Sequence, residues 1–349
     1  MNNHSRTLLI AVLALGLVLT FLKVPLASSQ GVTLIAAQVS GDLPTADFAS
    51  PRWAEAAAIE VPLSAQQAAK PMLLAAKIRS VTARALHNGR QIAILLEWAD
   101  ETKNDQMVRV QDFRDAVALQ FPLAEGQPFF CMGQQGGDVN IWHWKADWQA
   151  DIADRLDQES AYPDMYVDQY PFAEASVGLA AGPATYEDAN YLPALAAGNL
   201  FAAAEHASPV EDLIAGGFGS LTSQPAEAQN VQGFGEWRDG KWQVIFSRDL
   251  TSTEAEDAKF TLGKVHSVAF AAWDGANGER NGQKSTSQWV SLQLQSTAPA
   301  APPAAPPASP ASSPEGLIYV IGPMAIVAVL ILGAVGALGL FAFLRREKK

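Results

Sequence analysis

Residues 317–344 contain no charged side chain, and this single run decides which solvents the chain must fold in. It is long enough to cross a hydrocarbon core about 30 Å thick, which takes about 20 helical residues. Arg345-Arg346-Glu347-Lys348-Lys349 follows at once, and basic residues beside a span are held on the cytoplasmic side. The rest of the chain is therefore expected outside. Gly333, Gly336 and Gly339 recur every third residue of the span; they could admit a neighbouring helix, although they do not form a GxxxG pattern.

The other end is consistent with export. Arg6 precedes an apolar stretch at 8–22, and Pro25 then leads into Ala27-Ser28-Ser29-Gln30. These are the parts of a secretory signal cleaved after Ser29, or else of an uncleaved anchor. Residues 297–314 are dense in Ala and Pro and cannot build a core, so they read as an extended spacer. The expected organisation is a signal or anchor at 1–29, an extracytoplasmic domain at 30–296, a linker at 297–316, a transmembrane helix at 317–344 and a cytoplasmic tail at 345–349.

The formal charge is −12 for the whole chain, which leaves about −17 on the exported part once the basic ends are set aside. Nucleic acid is excluded as a partner for such a surface, whereas a basic soluble protein would be steered towards it. Cys131 is the only cysteine, so no disulfide can form within the chain, and there is no CxxCH for covalent haem attachment. No GxSxG, HExxH, P-loop or GxGxxG motif is present, and nothing singles out a catalytic carboxylate pair. The sequence therefore offers no catalytic site of its own.

Strand signals dominate the exported part. Residues 92–98 follow the turn His87-Asn88-Gly89-Arg90, residues 116–121 stop at Pro122, and residues 235–246 read as two strands around Asp239-Gly240. Residues 265–273 and 288–294 complete the set, and together they predict an all-β, antiparallel sandwich. Residues 148–156 could form a helical turn or two, within an Ala/Gly/Pro-rich stretch at 146–229 that reads as a long excursion from the sandwich.

The least ordinary segment runs from Pro128 through Met132 and a glycine-rich turn to Trp142-His143-Trp144 and Trp148. A soft sulfur donor beside flat apolar side chains suits a planar macrocycle. The bland alternative is a gap-filling methionine with tryptophans in the core, which is what such residues usually do.

These residues, together with others, resemble the haem-binding gamma subunit of ethylbenzene dehydrogenase and its relatives in dimethyl sulfide dehydrogenase, selenate reductase, chlorate reductase and nitrite oxidoreductase. The resemblance takes in Trp53 with Val61-Pro62-Leu63, Leu96-Glu97-Trp98-Ala99-Asp100-Glu101-Thr102, Phe113-Arg114-Asp115-Ala116 and Met132-Gly133. It continues through Asn140-Ile141-Trp142-His143-Trp144, Ala197-Gly198-Asn199, Gly233-Phe234-Gly235, Arg248-Asp249-Leu250 and Ala272-Trp273-Asp274-Gly275, to Lys284-Ser285. It implies a sandwich holding one non-covalent haem b, with Met132 and Lys284 as axial iron ligands and Trp142, His143 and Trp144 beside the ring. Lys264, Lys145 and His143 are alternative ligands.

A methionine ligand raises the potential, and a lysine must lose its proton to donate to iron. With both axial positions filled, electron transfer is the implied role. The resemblance also implies partners: a beta subunit with iron–sulfur clusters, an alpha subunit with a molybdenum cofactor, and a soluble cytochrome-type carrier. Read from fold alone, a carbohydrate-binding module is the other expectation, because aromatic side chains can also stack on sugars.

Overall fold

The computed structural model describes residues 32–124, 132–156, 161–164, 194, 197–203 and 205–296. The expected signal, linker, membrane span and tail lie outside the described residues, as does Cys131. Among the described residues no helix is long and apolar enough to cross a membrane.

These residues form a mostly β structure with one α-helix. The strands are β1 (Thr33–Gln38), β2 (Ile59–Pro62), β3 (Ser64–Ala65), β4 (Ser80–His87), β5 (Gln91–Ala99), β6 (Ala116–Pro122) and β7 (Val139–Lys145). After the helix α1 (Ala146–Ala153) come β8 (Val210–Ala215), β9 (Thr222–Ser223), β10 (Gln232–Arg238), β11 (Lys241–Asp249), β12 (Val265–Trp273), β13 (Ser285–Thr286) and β14 (Val290–Leu294). Their order in space is β10-β11-β5-β4-β1-β14-β12-β6-β7-β8-β9, with β2, β3 and β13 attached at the side.

Turn chemistry explains the hairpins. Asp239 and Gly240 both have positive φ, as a two-residue turn matching the strand twist requires, and they join β10 to β11. Between β4 and β5 only Gly89 is left-handed; the Asn88 carboxamide closes that turn by accepting from the N–H groups of Arg90 and Gln91.

Strand β12 joins the two halves of the sheet. Its first residues, from Val265 to Val268, pair with β14, and the rest, from Ala269 to Trp273, pair with β6. The halves share one core, in which Trp144 of β7 lies 5.0 Å from Trp242 of β11 and 6.4 Å from Trp98 of β5. A sandwich fits this arrangement. Burial of each such side chain is worth about 1.5–3 kcal/mol or more. The glycines of Gly233-Phe234-Gly235 exist for this core, because a Cβ on Gly235 would lie 2.2 Å from the Trp144 ring.

Two expectations need correction. Pairing is not antiparallel throughout, since β1 runs parallel to both β14 and β4. Parallel neighbours need a long crossover, and the chain from 39 to 79 provides it. The stretch 146–229 is also more than an excursion. Strand β8 pairs with β7 over Val210 to Ala215, and β9 pairs with β8.

Between β7, β8 and β11 lies a buried polar network. Asn140 donates to Asp212, the Arg248 guanidinium lies 3.5 Å from Asp257, and Gln224 bridges both carboxylates. Burial, followed by the charge of Asp257, raises the Asp212 pKa to about 8. The folded state thus holds a proton that the unfolded chain, with a carboxyl near 4, has already lost. This contribution is complete below about pH 4 and disappears as pH rises through about 8, at a cost on the order of a few kcal/mol. Thermal melting should therefore fall from pH 5.5 to pH 8.5, and Asp212→Asn should flatten that fall. Identical pH slopes for the two proteins would rule Asp212 out as the cause.

Candidate functional site

On the face of β6, β7, β8 and β12 that points away from the shared core is a cavity of about 600 Å³. Small residues make it. Ala116 and Ala118 of β6 and Ala269 and Ala271 of β12 form its floor, with Ala118 directly paired to Ala271. Its volume is in the ~300–1,000 Å³ range of small-molecule and cofactor sites.

Met132 enters from a tight glycine turn. Gly133 has φ +74° and a Cβ there would lie 2.6 Å from the Ala215 carbonyl, so only glycine lets the turn press against the end of β8. The Met132 carbonyl accepts from the Gly217 N–H, and Gln134 and Gly137 close the turn by exchanging two backbone hydrogen bonds.

Lys284 enters from the opposite wall. Asp115 ties this wall to β6: its buried carboxyl accepts from the N–H groups of Asn104 and Gly275 and from the Trp242 indole. Burial and then the nearby Asp100 charge raise the Asp115 pKa to about 7. A Cβ on Gly275 would lie 2.1 Å from the Phe113 carbonyl, which accounts for glycine in the Trp273-Asp274-Gly275 turn. The chain then reverses at Asn281-Gly282 and leads through Lys284 into β13.

The two walls meet. Lys284 Nζ lies 3.2 Å from Met132 Sδ, although 152 positions separate them in sequence. Both residues are buried, at 9% and 8% exposure, and the Lys284 Nζ is 5.2 Å from the Trp273 ring centre. The structure thus brings Met132 and Lys284 together in direct contact, and the two would have to part to admit a metal between them.

His143 also lines the cavity, stacked on Trp273 with ring centres 4.7 Å apart. Its Nε2 is buried with no hydrogen-bond partner among the described residues. Burial, then the charges of Lys145, Arg114 and Lys284, hold its pKa well below 6.5, so the ring is neutral.

Trp142 and Trp144 are not brought to the cavity. Successive strand side chains point to opposite faces, so β7 cannot send residues 142, 143 and 144 to one side. Trp142 packs on Phe121 and Phe260, and Trp144 packs on Trp98 and Trp242. Of the alternative lysines, Lys145 is committed to an ion pair with Glu211 and lies over the Trp148 ring, and Lys264 is exposed in the loop before β12.

Sequence reasoning missed the alanine floor, Glu211 and the cations Arg114, Arg280 and Lys70 that also line the cavity. Alternating alanines in Ala116-Val117-Ala118 and Ala269-Phe270-Ala271 were the available signal, since one strand face carries bulk and the other none.

The donor set fits a haem. A thioether and an amine face one another over a flat apolar floor, with an unmatched imidazole nitrogen nearby and cations that can meet acidic substituents. Comparison with known proteins agrees in kind. A family model described as ethylbenzene dehydrogenase matches residues 50–285. The chain is 23% identical over 276 residues to a protein described as a respiratory nitrate reductase heme subunit of Haloferax mediterranei, covering 76% of this chain and 78% of that one. It is 25% identical over 278 residues to the chlorate reductase subunit gamma of Ideonella dechloratans, covering 77% of this chain and 90% of the relative. With the dimethylsulfide dehydrogenase subunit gamma of Rhodovulum sulfidophilum it shares 26% over 216 residues, which is 59% of this chain and 58% of that one.

Proposed function

The chain belongs to the ethylbenzene dehydrogenase family, and on that premise we propose that it is the haem b electron-transfer subunit of an extracytoplasmic molybdenum oxidoreductase. The observation that carries this reading is the 3.2 Å approach of Lys284 Nζ to Met132 Sδ at the wall of the alanine-floored cavity. Bound there, a haem would supply one-electron exchange between ferric and ferrous iron.

The residues of this chain do the rest. Met132 offers a soft sulfur donor that favours the reduced metal. Lys284 donates its lone pair only after releasing the Nζ proton. Ala118 and Ala271 leave room for a planar ring and, with Ile141 and Leu213, keep its surroundings dry. Arg280 and Lys70 would supply positive charge to carboxylate substituents, while Arg114 is already paired with Asp147 at 2.7 Å. Met132 and Lys284 would hold the iron from the two walls, and a haem so held would supply electron exchange rather than a place for oxygen or a substrate.

The wider assembly follows from the same reading. Electrons pass between an iron–sulfur beta subunit, itself joined to a molybdenum-containing alpha subunit, and a soluble cytochrome-type carrier. A span at 317–344 with a basic tail tethers the domain to the membrane from the extracytoplasmic side.

Colour tests the core of the proposal. The full chain purified from membranes should carry one non-covalent haem b, extractable with acidified organic solvent, with a Soret band that shifts and sharpens on dithionite reduction. A folded, colourless chain that takes up no added haemin and is retained on a polysaccharide resin would instead make it a carbohydrate-binding module.

A further inference from the structure

Lys284 sits on a short, irregular wall, yet its Nζ reaches Met132 Sδ on the opposite wall. The regular pairing nearby is slight: β13 contributes two residues, Ser285 and Thr286, which pair with Ala65 and Ser64 of β3 on one side and with β12 on the other. The residue just after β3 does more. Gln66, only 6% exposed, donates its backbone N–H to the Lys284 carbonyl at 2.9 Å and its side-chain Nε2 to the Gly282 carbonyl at 2.7 Å. One residue therefore grips the backbone at Lys284 and again two positions before it.

Gln66 is itself held on every side. Its Oε1 accepts from the Ala69 N–H at 2.7 Å, its Nε2 also donates to the Ala69 carbonyl at 3.0 Å, and its own carbonyl accepts from the Leu73 N–H at 2.9 Å. The role needs a side chain that donates and accepts at once and reaches across to the next strand. Glutamate lacks the donor, lysine lacks the acceptor, and asparagine is one methylene shorter. The turn itself has separate ties, from the Trp273 indole N–H to the Asn281 carbonyl at 3.1 Å and from the two backbone hydrogen bonds that Arg280 and Gln283 exchange, whereas Gln66 is what joins Gly282 and Lys284 to the neighbouring strand β3.

We propose that Gln66 is a positioning residue that fixes the backbone carrying Lys284, and so holds Nζ opposite Met132 Sδ and keeps the lysine on the iron. This inference rests on the haem reading above and adds a residue outside the ligand set.

The test uses the full-length, haem-loaded chain and three variants. Gln66→Leu removes all side-chain hydrogen bonds at similar volume. Gln66→Glu keeps the acceptor towards Ala69 and loses the donor towards Gly282. Gly282→Ala approaches the same contact from the other side, since the added Cβ would lie 3.0 Å from the Pro71 carbonyl and 3.4 Å from Gln66 Nε2. Haem content and thermal melting are followed beside the ferric spin state and carbon monoxide binding to the ferrous form. The expected result is retained haem with a mixed-spin ferric spectrum and on the order of ten-fold more carbon monoxide bound than in the parent, the kind of loss a small displacement of a positioned group causes.

Lys284→Ala sets the ceiling, and combining it with Gln66→Leu should add nothing, because both changes remove one interaction. Parent-like spectra and carbon monoxide exclusion in both Gln66 variants, or effects of Gln66→Leu and Lys284→Ala that simply add, would overturn the proposal. Should Gln66→Leu fail to fold, the Gln66→Glu and Gly282→Ala spectra decide together. A parent without haem fails the functional reading before any variant is made, and is thereby distinguished from a haem-bearing parent that is indifferent to Gln66.

Discussion

Met132→Leu should keep the haem, lose the low-spin spectrum and lower the midpoint potential, because leucine matches the volume of methionine and lacks its sulfur. The drop is expected to be a fraction of the roughly 0.8 V range that axial ligands span. Met132→Ala should do the same and loosen the pocket as well, since a buried methionine cut to alanine costs up to about 2–5 kcal/mol where the site cannot collapse. Lys284→Ala should leave a haem that is partly high-spin and readily extracted. Lys284→Arg should fare no better, because guanidinium stays protonated and has no lone pair to offer. Ferric absorption and electron paramagnetic resonance spectra with a redox titration check all four. Unchanged low-spin spectra and potentials in Met132→Leu and Lys284→Ala would remove both residues from the ligand set and leave His143, neutral and with a buried Nε2 unmatched among the described residues, as the next to replace.

The parts of the fold written locally were legible in the sequence. Asp239-Gly240 announces its hairpin because only certain residues accept two successive left-handed conformations, and β5, β6, β11 and β12 are apolar runs bounded by turns. The pairings that depend on distant partners were not. The parallel seat of β1 between β14 and β4 leaves no local trace, since a parallel neighbour is reached through a long crossover rather than a turn. Strand β7 hid its alternation because almost every side chain along it is buried, on the shared core by one face and under the cavity by the other. That is why Trp142 and Trp144 looked like neighbours of the ligand site and prove to be core.

Within the site, spacing alone could not have paired Met132 with Lys284 across 152 residues; resemblance to a family supplied the pair, and packing supplies the 3.2 Å contact. Gln66 was invisible for a different reason. A glutamine in Ser64-Ala65-Gln66-Gln67-Ala68-Ala69 carries no periodic or motif signal, and its significance lies wholly in which carbonyls it meets.

Filling the alanine floor should abolish haem binding while leaving the fold intact, and this separates a macrocycle pocket from a structural void. Ala118 and Ala271 face each other across β6 and β12 and point into the cavity, away from the shared core. Enlarging a residue inside a packed core strains it by about 1–3 kcal/mol, but here the added atoms enter open space, and a β-branched side chain is favoured on a strand. Ala118→Ile with Ala271→Ile should therefore give a chain that melts at or above the temperature of the haem-free parent. Haem content should fall to a tenth or less, an affinity loss of at least about 1.4 kcal/mol wherever loading is near saturation. Met132 and Lys284 remain in place in this double variant, so the loss would be assigned to the missing volume rather than to the ligands. Full haem content with an unaltered spectrum would mean that the ring sits elsewhere, and the contact between Lys284 and Met132 would then have to be read as packing between two loops.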